Sequence, residues 1–362
     1  MESQSSQRPL FAYVGCFTTE KRKAKGRGVA VFRIDPASGA WAFVEACDVV
    51  PNPSYICLDR TQRFLYSAHG DSDEVCSYAR DPQSGKLRFL NKQKTEGDNS
   101  STVEVDAGNR WVLLSTGPGV ALFPRNADGS LGPYTDLIVP EGEPGPLRGE
   151  QEHSHPHQAS FDLTGRFVVV PDKGLDKVLV YRFDAGRGKL TPADALRSRY
   201  ASVPRHVAFH PGRPYAYVVM ERDSTVFACH WDTGAGTLRP FQRITTLPTD
   251  YVGDNMAAEI AILSSGKFLY ASNRGHESIA IYAVDAATGK LEPAGWEPVQ
   301  GRKPRFFCLD PDATHLYAAN QDSHAIVEFR INHEIGKLTP TGQVIETGSP
   351  TCVVFATRQG GH

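Results

Sequence analysis

The 362-residue sequence has no apolar run approaching the roughly 18 residues that a membrane-spanning helix needs, so no such helix is expected. It has little net charge: 39 Lys and Arg against 41 Asp and Glu leave −2, and neither a nucleic acid nor a membrane surface is an expected partner. Cysteine is sparse and unpatterned. The seven residues at 16, 47, 57, 76, 229, 308 and 352 form an odd set without a CxxC pair, which suits a reduced, cytoplasmic setting with most of them as small buried hydrophobes. Met1 to Pro9 is polar and lacks the apolar core of a secretory signal, so export by that route is not expected. No helical stripe of apolar residues occurs; the alternation has period two, which predicts an all-β chain.

What is present is glycine, proline and repetition. The 33 Gly and 25 Pro suit a fold with many tight turns. Copies of one pattern run from Pro53, Pro156, Pro204, Ala257 and Pro304: a short apolar strand, a polar turn, a second strand, an Asn or Asp loop, a third strand and a hairpin of the Gly-Lys-Leu type. The residues closing the first strand of each copy are Asp59, Asp106, Asp162, His210, Leu263, Asp310 and Ala356, at intervals of 47, 56, 48, 53, 47 and 46. A period near 50 means four strands per unit, as in a propeller blade. Six copies are continuous. The N-terminal piece, from Phe11, lacks a first strand, and Ser349 to Ala356 reads as a first strand alone, so the two ends complete a seventh blade and close the ring. The expected organisation is a disordered tail over 1–10, one seven-bladed β-propeller over 11–357, and a C-terminal tail over 358–362.

Number the strands of a blade a to d from the axis outward. The start of a and the end of b then share one face with the d-to-a and b-to-c loops, because adjacent strands run antiparallel. The two long intervals place extended d-to-a loops there, Val139 to Pro156 and Ile244 to Ala257. At the start of strand a stand His157, Arg205 with His206, Glu259 and Arg305; at the end of strand b, Lys173, Glu221, Arg274 and Gln321 fall in register. Turn chemistry alone would keep Asn or Asp at the second position. Each residue singly has a structural explanation: His157 as a strand cap, the arginines as inter-blade ties, Glu221 as partner to one of them. Their convergence on one mouth is what marks a site. His155, two residues before His157, joins the candidate substrate contacts with His206, Glu259, Arg305, Lys173 and Gln321. The HSHPH run from 153 invites a metal, but its histidines flank Pro156 in an extended segment with no acidic or Cys set repeating nearby, so no metal is expected. Asp59, Asp106, Asp162 and Asp310 read as structural turn residues, and Cys57 and Cys308 as packing. Lys21, Arg22, Lys23, Lys25 and Arg27 fall in the b-to-c loop of the composite blade, either as a solvated loop or as an attractor of an anionic substrate.

The strings YVGCFTT, NPSYICLD, HPHQASFDLTGRFVVVPDKGLDKVLVYRFD, PRHVAFHPGRPYAYVVMERDST, AEIAILSSGKFLYASNRGHESIAIY and PRFFCLDPDATHLYAANQDS resemble the bacterial seven-bladed propeller lactonases, the family of one type of 6-phosphogluconolactonase, which also includes fungal 3-carboxy-cis,cis-muconate lactonizing enzymes. The resemblance covers nearly the whole chain. It implies a mouth site of one His, two Arg and one Glu, carried here by His157 of HPH, Arg205 of PRH, Glu221 of MER and Arg274 of NRG, with no cofactor. It also implies hydrolysis of a sugar-acid lactone, 6-phospho-D-glucono-1,5-lactone foremost, or, run towards the lactone, muconate cycloisomerisation. Met220 departs from the family's usual Asn, SSG at 264 from a Pro-Asp-Gly turn, and LSTGPG from 114 makes blade 3 irregular. With His157 as base, the arginines would hold the oxyanion or an anionic substituent, and Glu221 would orient His157 or act as acid if burial raised its pKa. A non-catalytic protein-binding propeller is the remaining alternative. It predicts an apolar top face, whereas the mouth candidates are charged and the Trp-Asp signature occurs once, at Trp231 and Asp232. The near-neutral total thus conceals a mouth with basic excess, which points to a small anionic sugar-lactone substrate.

Overall fold

The computed structural model describes residues 9–357. Among these, 28 strands form seven four-stranded antiparallel sheets arranged as a propeller, and one 3-10 turn, Glu20–Arg22, interrupts the pattern. Blade 1 is composite: its inner strand is the C-terminal Pro350–Thr357, paired with Pro9–Cys16, followed by Val29–Ile34 and Trp41–Cys47. The first and last described strands therefore lie side by side in one sheet, and the ring has no open seam. The first strand begins at Pro9, two residues before the expected start. Of the two expected tails, residues 1–8 and 358–362 lie outside the described residues.

Blade geometry follows from a repeated local chemistry. Asp59, Asp106, Asp162 and Asp310 each sit just past an inner strand and accept two backbone N–H bonds from residues four and five further on, as Asp162 does from Arg166 and Phe167, both at 3.0 Å. That carboxylate closes the a-to-b turn. Neighbouring blades are tied by a second device. The strand-b tyrosines Tyr13, Tyr66, Tyr217 and Tyr270 donate to the carbonyls of Gly85, Gly129, Gly289 and Gly336 in the outer hairpin of the next blade. The hairpin glycine also packs on an aromatic ring of the preceding blade: a Cβ on Gly236 would collide with the Phe167 ring.

Four of the seven inner strands share a feature that decides where function can sit. In blades 1, 2, 5 and 7 the strand is bulged at its mouth end one residue after a proline, with register shifts at Pro53/Tyr55, Pro204/His206 and Pro304/Phe306, and a matching shift where Gly15 and Cys16 pair with Cys352 and Pro350. Ser54, Arg205, Arg305 and Thr351 are the extra residues. Proline donates no ladder bond, and a bulge re-aims the following side chain, here towards the axis. Blade 3 pairs without such a shift, blade 6 is bulged at Ala257/Ile260 without a proline, and blade 4 departs further. Its inner strand is only Ser160–Phe161, because the Asp172 carboxylate takes the His155 N–H at 2.9 Å and the Ser154 hydroxyl at 2.6 Å and holds the preceding segment in a loop conformation.

All seven cysteines are free and at least half-buried. No helix of the described residues is long and apolar enough to cross a membrane.

Gly236→Ala should destabilise the protein by about 2 kcal/mol or more, from left-handed backbone strain added to overpacking. Gly39→Ala, at a similar φ of 74° but with nothing within 4 Å of the new Cβ, should cost less. Denaturant unfolding of both variants checks this, and equal losses would remove packing as the cause.

Candidate active site

The bulged residues and the first b-to-c loops enclose a cavity of about 170 Å³ at the propeller mouth. Its wall includes Phe17, Arg22, Ser54, Tyr55, Ser100, Ser101, His155, His157, Lys173, Arg205, His206, Glu259, Arg305 and Thr351. Seven of the ten candidates from the sequence therefore meet on this wall. Glu221, Arg274 and Gln321 do not reach it.

Glu221 lies behind the wall and is nearly fully buried. Its Oε2 is 3.1 Å from Lys173 Nζ and 3.3 Å from Arg205 Nε, and its Oε1 is 3.1 Å from Arg274 Nη2. These are charge contacts, without the alignment of hydrogen bonds at Oε2 or at Arg205 Nε. Burial by itself would raise the Glu221 pKa, but the charges of Lys173, Arg274, Arg205 and Arg305 overcome it and hold the carboxyl well below its usual range. The rise that a general acid requires is thus absent, and Glu221 serves instead as the fixed counter-charge of three cations. The arginines are further tied to the inner strand of blade 6: Arg205 Nη1 donates to the Ala258 carbonyl at 2.6 Å and Arg274 Nη2 to that of Ala257 at 3.0 Å. Met220, beside Glu221, is fully buried in the core between blades 4 and 5.

His157 is oriented by different groups from those expected. Its Nδ1 lies 3.1 Å from His206 Nε2, and His206 Nδ1 lies 2.7 Å from Glu259 Oε1. A carboxylate only accepts, so His206 carries its proton on Nδ1 and accepts at Nε2. His157 then donates from Nδ1 and keeps its lone pair on Nε2, a tautomer assigned from the bonding pattern. Glu259 Oε1 is fixed in turn by the Ile260 N–H at 3.0 Å. Burial, and then the charge of Arg205, push the His157 pKa well below 6.5, so the imidazole is neutral. His155 stacks on it, with centroids 6.4 Å apart, and burial lowers its own pKa to about 4.

The basic loop is mostly not part of this site. Arg22 reaches the wall, but it is held bidentate by Asp71, with both contacts at 2.7 Å, and Lys21 pairs with the same carboxylate at 3.3 Å. Lys23, Lys25 and Arg27 are exposed and do not line the cavity. Gln321 is turned aside and donates to Asp322 at 3.2 Å. Among the described residues, no three His, Cys, Asp or Glu side chains are grouped so as to hold a metal ion.

Sequence reasoning missed Ser54, Thr351 and Tyr55. The first two carried a signal: each follows a proline at the position where Arg205 and Arg305 do. Tyr55, one residue deeper, packs edge-on against His206 and Phe306 with centroids 6.3 and 5.9 Å away.

The sequence profile described as lactonase, 7-bladed beta-propeller, matches residues 11–355. The chain is similar to 6-phosphogluconolactonase of Bacillus subtilis, at 32% identity over 83% of this chain and 84% of that protein. It is also similar to 6-phosphogluconolactonase of Formosa agariphila, at 30% over 84% and 87%. Among solved structures, the periplasmic gluconolactonase of Pseudomonas aeruginosa superposes with a TM-score of 0.87 at 27% identity, covering 96% of this chain and 99% of that one.

Glu221→Gln leaves Lys173, Arg205 and Arg274 without their shared counter-charge. It should cost about 3–5 kcal/mol of folding stability, the range for breaking a buried pair. Denaturant unfolding measures it, and a loss under 1 kcal/mol would show that the carboxylate does not organise the cluster.

Proposed function

We propose that this chain, which belongs to the seven-bladed β-propeller lactonase family, hydrolyses a small anionic sugar lactone at the propeller mouth, with 6-phospho-D-glucono-1,5-lactone as substrate and 6-phosphogluconate as product. The observation that carries the reading is the Glu259–His206–His157 chain, which ends at a cavity walled by cations. Attack on a lactone carbonyl needs a base for water, a charge to hold the oxyanion and a proton for the leaving ring oxygen. His157 Nε2 takes the proton as the water oxygen bonds to the carbonyl carbon. Glu259 steadies the positive charge that then develops on the two imidazoles. Arg205 and Lys173 face the oxyanion. The ring C–O bond breaks as the carbonyl re-forms, and the proton on His157 passes to the departing alkoxide, which regenerates the neutral imidazole.

Partners and setting are part of the same reading: a metabolite-sized anion, no nucleic acid or membrane, and the cytoplasm, which the seven free thiols favour. The catalytic steps need only side chains of this chain.

His157→Asn should lower kcat by about 10²–10⁴-fold while changing KM far less. Initial rates on 6-phosphogluconolactone, compared with turnover of carboxymuconate, decide the reaction; turnover of the muconate alone would replace hydrolysis by cycloisomerisation. The pH profile is a second check. Because the base works as a neutral imidazole whose pKa is lowered, activity is lost only as pH falls through that lowered value. The acid limb of kcat/KM should therefore lie below pH 6.5; a limb above it would exclude His157 as the base.

A further inference from the structure

Arg305 differs from every other cation at the mouth. Arg22 is held by Asp71, Lys173 by Glu221 and Glu150, and Arg205 and Arg274 by Glu221 and backbone carbonyls. The Arg305 guanidinium has no ion pair or hydrogen bond among the described residues, although it is half-buried on the cavity wall. Its one described contact is the face of the Phe17 ring, 5.2 Å to the centroid. Such a charge, partly withdrawn from water and unpaired, is costly unless a counter-ion arrives. Burial and the neighbouring Arg205 and Arg274 already push its pKa well below 12.5.

The charge count around the cavity states what that counter-ion must be. On the wall itself Arg22, Lys173, Arg205 and Arg305 are four cations against one carboxylate, Glu259; Asp71, Glu150 and Glu221 pair with the first three, which leaves Arg305 as the cation to be answered by a ligand. A phosphate monoester carries about −1.5 to −2 near neutral pH. Position agrees with charge. Arg305 is on blade 7 and His157 on blade 4, three blades apart on a ring of seven, so a ligand in the cavity meets them from opposite sides. In the neighbouring blade, Thr351 also lines this cavity, and its Oγ1 is a buried hydroxyl without a hydrogen-bond partner among the described residues.

We propose that Arg305, with Thr351 beside it, forms the subsite for a dianionic phosphoryl substituent of the substrate, across the cavity from the reacting carbonyl at His157. The assignment rests on the lactonase reading for the identity of the molecule, but the anion subsite can be tested apart from it. Arg305 is then the residue that separates phosphorylated from neutral lactones, while Arg274 acts behind the wall by positioning Glu221.

Two measurements on the full chain test this. In kinetics, Arg305→Gln should lower the ratio of kcat/KM for 6-phosphogluconolactone to that for glucono-1,5-lactone at least 30-fold, with Arg305→Lys recovering part of it; an unchanged ratio overturns the subsite. In calorimetry, the wild type should bind inorganic phosphate more tightly than acetate, Arg305→Gln should weaken phosphate at least tenfold, and Thr351→Val should weaken it about threefold. Equal phosphate binding by wild type and both variants also overturns it. Should Arg305→Gln not fold, Arg305→Lys and Thr351→Val carry the same comparison. Phosphate binding that depends on Arg305, in a protein that opens no lactone, would retire the hydrolase reading and leave the subsite standing. Lactone hydrolysis with an unaltered selectivity ratio would do the reverse.

Discussion

One carboxylate organises the mouth of this propeller. Lys173 comes from blade 4, Arg205 and Glu221 from blade 5 and Arg274 from blade 6, so three successive sheets are joined through a single buried negative charge. Without Glu221 the cations would repel one another in a region with little water to screen them, and Lys173 and Arg205 could not hold fixed positions on the cavity wall. The compensation is incomplete, and that is what makes the cluster useful. Glu221 neutralises only part of the positive charge it gathers, and the remainder faces the cavity.

The scaffold delivers several of the wall residues by a local irregularity that recurs in four of the seven blades. Each proline at the mouth end of an inner strand ends regular pairing, and the bulge that follows directs the next side chain towards the axis. In four of the seven blades this bulge becomes a place to install chemistry, filled by Thr351, Ser54, Arg205 and Arg305. The inter-blade ties do the opposite work. Tyrosine hydroxyls and hairpin glycines hold the outer strands at constant spacing, which keeps the axial positions in a fixed relation to one another.

Within that frame the two acidic residues have separate tasks. Glu259 acts through His206 on His157, setting the tautomer and leaving Nε2 with its lone pair; Glu221 acts on the cations. Glu259 stands at the start of a strand a and Glu221 at the end of a strand b, both on the same face, and the neighbour each meets gives it its task. For Glu259 that neighbour is an imidazole 2.7 Å away on the adjacent blade.

Fold and ring closure were legible in the chain because they depend on local rules repeated seven times: period-two alternation, an Asp that closes one turn, a Gly that closes another, and a strand missing at one end and present at the other. The mouth candidates His157, Arg205, Lys173, Glu259 and Arg305 were legible for the same reason, since repeat register places them on one face. Which of those residues touch was not. The expected coupling of Glu221 to His157, the drawing of Arg274 behind the wall by Glu221, the capture of Arg22 by Asp71 and the isolation of Arg305 depend on which residues of neighbouring blades meet. Repeat periodicity sets the height of a residue along the axis, but not the direction of its side chain across it. Only the closed ring, by bringing blades 4 to 7 around one cavity, decides which charges are paired and which one is left for a ligand.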